Sequence, residues 1–443
     1  MAGVRVGEKR VPCHGRDDMG NCYDVIVAGG GTAGAAAAIA ASRRNHKVLL
    51  IEEQNCLGGT STSGGVGEWF ASLEGAGNIF DGVVAGLEKF GARFAKPRHF
   101  NPEVLKSVWQ LMAEEAGVQI LFHSSVCGAE CSEHALSRIE IASCSRLFSA
   151  EAKFFVDATG EGDLSVLAGA QFMQGEPDTG KVLHMSLVAW MYDTSTLQTP
   201  YLPPSLEPVR SREELPGLGA GVLVDRNRVY LNATKVLDHD PTDPWSLSDA
   251  EREARHQLLR VVHYLQTHEY PTFALASSGA RIGIREGRRI IGDYVLSRSD
   301  ILDRREPLDF EDGVAVATSQ IDFHSLKKAG NSGWRQAVLP YSIPLRCMLA
   351  KGFANLAVAG KCISVDQVVH SSCRMTPTCC AMGQAAGTVA ALAIEQGVVD
   401  LRDVPISSLR QTLNADGMEL NPARHTGFAP HDTRLDADDY VGT

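Results

Sequence analysis

Tyr23-Asp24-Val25-Ile26-Val27-Ala28-Gly29-Gly30-Gly31-Thr32-Ala33-Gly34, with Glu52 following at the end of a second apolar run, decides the fold of this chain. Tyr23 to Ala28 has the length and composition of a buried strand, Ala35 to Ser42 that of a helix, and Lys47 to Ile51 that of another strand. The order is a βαβ unit with GxGxxG at its first turn. The three glycines do different things. Gly29 permits the tight turn, Gly31 lets backbone approach a pyrophosphate, and Gly34 allows close helix–strand packing. The pyrophosphate would rest on amides at the helix N-terminus, favoured by the helix dipole. Glu52 stands about 20 residues on, where an acid accepts hydrogen bonds from both ribose hydroxyls. The alternative is a glycine turn with no nucleotide. An acid at Glu52 disfavours a 2′-phosphate, which leaves FAD or NAD.

Outward from this unit, a glycine-rich stretch runs from Gly58 to Gly67, a helical segment from Pro102 to Ala116, and a further strand from Val118 to Phe122. From Val126 to Phe155 the pattern becomes three strand-like runs separated by turns at Cys131 to His134 and Ser143 to Ser145, which predicts an antiparallel meander. A second region begins near Ala170. It contains a strand-like run (Leu183 to Trp190), a proline-rich connection (Pro200 to Pro216), and a hairpin turning at Asp225-Arg226-Asn227. Ser248-x-x-Glu251 has capping-box spacing and announces a helix with Leu258, Leu259, Val262 and Leu265 on one side. Asn355 to Ala359 is a strand, Gly360 to Cys379 a loop, and Gly383 to Gln396 an Ala-rich helix returning to the first domain. The expected organisation is a tail at 1–21, a nucleotide-binding domain in two parts (22–169 and 341–400), a substrate domain at 170–340, and a terminal segment at 401–443.

The chain of 443 residues carries 42 Lys plus Arg against 53 Asp plus Glu, a net charge of −11 that disfavours a dominant polyanion-binding role. Its eleven cysteines are scattered, with no CxxC, HExxH or Cys/His quartet, so no metal site is expected. The adjacent Cys379-Cys380 reads as core filling. No apolar run preceded by basic residues opens the chain, and no window is read as a membrane span; the expectation is a cytoplasmic protein with reduced thiols, bound to neither membrane nor nucleic acid.

Three further segments carry a resemblance. They are Cys56-Leu57-Gly58-Gly59-Thr60-Ser61-Thr62-Ser63-Gly64-Gly65, Asp157-Ala158-Thr159-Gly160-Glu161-Gly162-Asp163, and Asn355-Leu356-Ala357-Val358-Ala359-Gly360 followed later by Gly383-Gln384-Ala385-Ala386-Gly387. With the fingerprint, they resemble the FAD-dependent oxidoreductases of the glutathione-reductase-like superfamily, and more narrowly a family sharing its flavin domain with fumarate reductase flavoproteins. The resemblance implies an α/β fold, in which a Rossmann-like FAD-binding domain (parallel sheet plus antiparallel β-meander) holds an inserted α+β substrate domain. It implies FAD contacts at Gly29, Gly31, Thr32, Ala33 and Gly34, at Glu52 and Glu53, and at Gly58, Gly59, Thr60, Ser63 and Gly64. Further contacts are implied at Val126, Ala158, Thr159, Gly160 and Gly360, and at Gly383, Gln384, Ala385 and Ala386, where a helix N-terminus would point at the flavin pyrimidine edge. One departure stands out: relatives carry an acid shortly after the third motif's Ala-Gly, whereas this chain has Lys361-Cys362.

In the resemblance, the loop Asp366 to Cys379 borders the flavin ring, which makes His370 and Arg374 the lead catalytic candidates. His370 would move a proton and Arg374 would anchor a carboxylate or developing negative charge; the plainer alternative is a capping His and a structural ion pair. Arg281-Ile282-Gly283-Ile284-Arg285-Glu286-Gly287-Arg288-Arg289 offers Arg281 and Arg285 to an anionic substrate, or else ion pairs that lock two domains. The expected activity is hydride transfer between a small organic substrate, in one reading anionic, and flavin N5, with direction open. Gly217 to Gly221 is no second dinucleotide fingerprint, so NAD(P)H on a domain of its own is not expected. The rivals are a non-catalytic flavoprotein and an RNA-modifying one, the latter disfavoured by the acidic charge.

Overall fold

The structure, a computed structural model, describes residues 22–429 apart from 95, 97, 218 and 328–332. The expected tail at 1–21 lies outside the described residues, as does the chain from 430 on. Strand β1 (Cys22–Ala28) is followed by helix α1 (Thr32–Ser42), β2 (Val48–Ile51), α2 (Asn78–Lys89), α3 (Pro102–Glu115) and β3 (Gln119–Leu121). β3, β2 and β1 lie side by side and parallel. Val25 to Ala28 are fully buried, as a strand covered on both faces must be. β4 (Ser124–Ser132), β5 (Ala135–Ser143) and β6 (Arg146–Asp157) form the expected meander. β6 serves two layers: its first half pairs with β5, and from Glu151 onward it runs parallel to β1. The sheet order is therefore β3-β2-β1-β6-β5-β4.

After α4 (Asp163–Leu167) and β7 (Phe172–Gln174), a second sheet is built from β8 (Ala189–Asp193), β9 (Gly219–Leu223), β10 (Arg228–Asn232) and, beyond helix α5 (Pro244–His268), β11 (Phe273–Ser278). Its strands are antiparallel, and Ala250, Ala254, Leu258, Val261 and Leu265 of α5 join Met191, Val229, Leu231 and Phe273 in a core of its own. That core spans Met185 to Ile284, whereas Ile290 and many buried side chains after it belong to the core of the first sheet. There follow β12 (Arg288–Ile290) against β7, α6 (Arg298–Ile301), β13 (Gly313–Ala317), the hairpin β14 (Ile321–His324) and β15 (Gly333–Gln336), and β16 (Tyr341–Pro344) against β13. The chain then re-enters the first sheet as β17 (Leu356–Val358), parallel to β6, and closes it with α7 (Gln367–Cys373), α8 (Thr376–Gln396) and α9 (Ile406–Ala415).

Four expectations change. The stretch 360–379 is not a loop throughout: Asp366 caps α7 by accepting from the Val369 amide at 2.8 Å. The Ala-rich helix begins at Thr376, with Pro377 in its first turn, rather than at Gly383. α5 starts at Pro244, capped by Asp243, so Ser248 lies inside it, and Glu251 accepts instead from the Ile282 amide at 2.6 Å. Finally, α8 is long and apolar enough by composition to cross a membrane, a possibility that residue patterning alone did not bring out; in this fold it is a core helix, buried along nearly all of its most apolar stretch.

Candidate active site

The turn between β1 and α1 opens onto a cleft that is also lined by Arg374, Thr376 and Cys379. Gly29 turns the chain at φ +89°, and a Cβ at Gly34 would overlap the Gly29 carbonyl oxygen, so both glycines serve the protein's own packing. Gly31 differs. A Cβ there would meet no protein atom closer than 4.0 Å, because it would point into the cleft. What needs the glycine is whatever fills that space. The amides opening α1 have no side-chain cap and face the same space, as an anion cradle requires.

The wall continues through Thr32 and Ala33, Glu52 and Glu53, Gly59, Thr60, Ser63 and Gly64, Val126, and Ala158 to Gly160, with Gly360 opposite. Glu52 is held by two backbone donors, the Gly30 amide at 2.6 Å and the Gln54 amide at 2.7 Å, and burial raises its pKa. Each carboxylate oxygen retains a lone pair for a ribose hydroxyl. At the far end stand Arg374, Thr376 and Cys379. The first turn of α8 also lacks a side-chain cap, which leaves a second positive helix end at the cleft. These features fit a dinucleotide whose pyrophosphate lies on α1 and whose ring system lies by α8.

Lys361, directly after the third motif's Ala-Gly, donates to the Gly160 carbonyl at 2.8 Å and pairs with Glu161 of the second motif. Not every implied contact lies in the cleft. Gly58 is not in its wall; it turns the chain at φ +102° under Thr62 and Trp109. Gly383 lies two turns into α8, where a Cβ would overlap the Ala33 carbonyl oxygen, and Gln384 accepts from the Ile79 amide and donates to the Asp416 carbonyl. Ala385 and Ala386 are fully buried. The reason is the earlier start of α8: Thr376 and Cys379 occupy the position assigned to Gly383 to Ala386.

The lead catalytic candidates separate. Arg374 lines the cleft, while His370, one turn earlier on α7, is sealed in the core, outside the cleft wall. Neither ring nitrogen of His370 has a hydrogen-bond partner. Burial, with Arg289, Arg374 and Lys361 nearby, holds its imidazole neutral, far below the usual range. Arg281 stands at the ribose end, paired with Glu53, away from Arg374. Arg285 is not in the cleft wall: it donates to Ser186 Oγ at 2.8 Å and to the His184 carbonyl at 3.2 Å, and among the described residues it forms no ion pair. Its neighbour Glu286 does the locking, pairing with Arg289 and accepting from the Leu183 amide and the Gln367 side chain.

Around Arg374 and Arg285 lies a group that the sequence motifs did not reveal. Asp322 takes Arg335 Nε on one oxygen at 3.0 Å and His324 Nε2 on the other at 3.0 Å, with Arg374 Nη2 at 3.5 Å. The ring of His184 meets that of His324 edge-on, with centroids 4.6 Å apart. Burial would raise the Asp322 carboxyl, but His324, Arg374 and Arg335 hold it well below the usual range. Burial, then Arg374, pushes Arg285 down to about 10, and burial, then Arg285, holds His184 far below its ordinary value. A signal was available: Asp322 and His324 are two apart on a strand and so share a face, and Arg335 pairs across from Asp322 in the hairpin register.

A family model described as FAD dependent oxidoreductase matches residues 24–413. No curated protein matches the chain. Among solved structures, a geranylgeranyl bacteriochlorophyll reductase-like protein from Thermoplasma acidophilum is 11% identical with a TM-score of 0.45, over 92% of this chain and 93% of that one. A myxobacterial chondrochloren halogenase is 12% identical with a TM-score of 0.45, over 88% and 78%. A flavin-dependent brominase is 14% identical, also at 0.45, over 89% and 84%. Likenesses this distant carry nothing about substrate.

Proposed function

The chain belongs to the FAD-dependent oxidoreductase family, and on that premise we propose that it transfers a hydride between a small anionic organic substrate and N5 of the flavin. We take its flavin domain to be of the kind shared with fumarate reductase flavoproteins, and the second sheet to be the substrate domain. The protein is a flavoenzyme with FAD as its cofactor, which removes the non-catalytic rival. When bound, FAD supplies a two-electron acceptor and donor.

One observation carries the substrate class. Arg374 borders the cleft while its Nη2 reaches the Asp322 carboxylate at 3.5 Å, and Arg285 lies near enough to feel both charges. A buried guanidinium is costly unless well paired, and a substrate anion beside Arg374 offsets that cost on binding. Arg285 is suited to this role: it is partly exposed, and the groups it donates to, Ser186 Oγ and the His184 carbonyl, are neutral. Arg374 is suited too, because its Nε is buried and unpaired while the residue borders the cleft. These two would orient the substrate.

The test is anaerobic bleaching of the flavin absorbance by a panel of hydroxy acids, amino acids and dicarboxylates beside their neutral amides. Only the anions should bleach it. Arg285→Met should then raise the concentration for half-maximal bleaching about 10- to 100-fold, the worth of a hydrogen bond to a charged group, with FAD retained. Equal bleaching by acids and amides would defeat the reading.

A further inference from the structure

At the ribose end of the cleft, one cation reaches across from the second sheet. We infer that Arg281, held in place by Glu53, covers the adenosine half of FAD and sets how fast the cofactor leaves. The inference rests on FAD as the cofactor and is independent of what the substrate is.

Beside the ribose acid Glu52, the cleft wall is made by Glu53, Gln54 and Ser124 to Val126, and the Ser124 amide donates to the Glu52 carbonyl at 3.0 Å. All of these lie on strands of the first sheet or directly after them. Arg281 follows β11 of the second sheet, pairs with Glu53, and feels the charge of Glu52 as well. The Glu52 carboxylate is already engaged by the Gly30 and Gln54 amides, which leaves Glu53 as the group that fixes the guanidinium. Both partners line the cleft, so the pair joins its two sides at that end.

The backbone on either side of Arg281 is fastened. The Ala280 amide donates to the carbonyl of Ser63, on the glycine-rich stretch that lines the cleft, at 2.8 Å, and the Gly279 amide donates to the Val188 carbonyl at 2.9 Å. Beyond Arg281, the Ile282 amide donates to the Glu251 carboxylate, and Gly283 exchanges backbone hydrogen bonds with Ser186. What is left to move is the side chain. The clasp opens when the guanidinium swings off Glu53, with no backbone bond broken. Little opposes that motion in the empty cleft, because the Arg281 side chain is 34% exposed and that of Glu53 46%.

An adenine held beside Glu52 changes the balance. A guanidinium is planar and delocalised, and its face stacks on aromatic rings. Burial already lowers the Arg281 pKa, with Glu52 opposing it, so part of the hydration of this cation is lost before any ring covers it. A cation over a ring gains more the less water surrounds it. Glu53 keeps the guanidinium at the place where the adenine arrives.

The test is the exchange of bound FAD for labelled FAD in the holoprotein. Arg281→Ala should speed release about 3- to 30-fold, the worth of a cation over an aromatic face. Glu53→Gln should speed it too, and the double variant should be no faster than Arg281→Ala alone, because the two side chains act as one unit. Titrating the stripped protein locates the effect. Arg281→Ala should weaken ADP, which carries the adenosine without the flavin, by the same factor as FAD, and should leave FMN, which lacks the adenosine, unchanged. Release from Arg281→Ala as slow as from wild type, or FMN weakened as much as FAD, overturns the placing of Arg281 on the adenosine. Glu53→Gln leaves Arg281 in place and carries the test if Arg281→Ala does not fold: release at the wild-type rate, or effects of the two substitutions that simply add, overturns the clasp.

Discussion

A fully buried imidazole with neither nitrogen paired and the cations of Arg289, Arg374 and Lys361 nearby, as at His370, is a cost to the fold rather than a contribution. Replacing it with an apolar group of similar size removes both orphaned polar atoms, a change that is neutral or stabilising when the shape is kept. The pH dependence follows from the same burial. The folded-state pKa lies far below that of an unfolded His, near 6.5. Below that value the unfolded chain takes up a proton that the folded chain refuses, so wild type loses about 1.4 kcal/mol per pH unit from this residue as pH falls. His370→Leu escapes that loss. Its thermal unfolding should match or exceed wild type at pH 7.5 and gain on it steadily toward pH 5, with flavin content and anaerobic reduction rates unchanged. A variant whose flavin reduces a hundredfold more slowly would return His370 to the chemistry. The separation of His370 from Arg374 has a plain source. A residue type and a loop position were legible, but whether His370 or Arg374 faces the cleft depends on the phase of a seven-residue helix hidden in what read as a loop.

Between elements, the pairing that positions the cofactor cleft is α1 against α8. Both helices are almost wholly buried, α1 is built largely from alanine, and Gly383 and Gly387 of α8 mark the contact: a Cβ on either would overlap a carbonyl oxygen of α1, Ala33 or Ala37. The importance of these glycines was legible but their partner was not, because spacing alone does not distinguish a glycine that admits a ligand from one that admits a helix. Gly31 is the first kind and Gly383 the second. Gly383→Ala should therefore destabilise the protein by roughly 1–3 kcal/mol through overpacking, despite the ~1 kcal/mol that Ala ordinarily gains over Gly in a helix. Urea unfolding would check the sign. A stabilised variant would mean that the helices part freely and that this contact does not hold the cleft wall. The parallel strands, by contrast, are legible to within a residue or two, since each is a short apolar run between turns and the βαβ order leaves few ways to arrange them.

At the scale of the whole molecule, the cleft is where two hydrophobic cores meet. The first core is made of segments distant in sequence, and the second, from Met185 to Ile284, sends Arg281, Ile282, Gly283 and Ile284 back to line the wall beside the fingerprint. The sequence offers this segment's cations to a substrate or to a lock between domains, and the fold divides them: Arg281 pairs with Glu53 at the ribose end, while Arg285 donates to Ser186. The protein's own links across this boundary include exposed and half-exposed ion pairs such as Arg281–Glu53, and pairs of that exposure contribute about 0–1 kcal/mol. FAD touching walls from both cores adds far more: at 100 times its dissociation constant a ligand stabilises the folded state by about 2.7 kcal/mol. Stripping FAD should accordingly do more than lower the unfolding temperature. Calorimetry of the stripped protein should show the second core melting ahead of the first, as two transitions that merge into one when FAD is restored. A single transition in the stripped protein would mean that buried links such as Glu286 to Gln367 couple the cores without the cofactor. In that case the anion site would be rigid before any ligand arrives, and the arginines would hold their unfavourable proximity in every state of the enzyme.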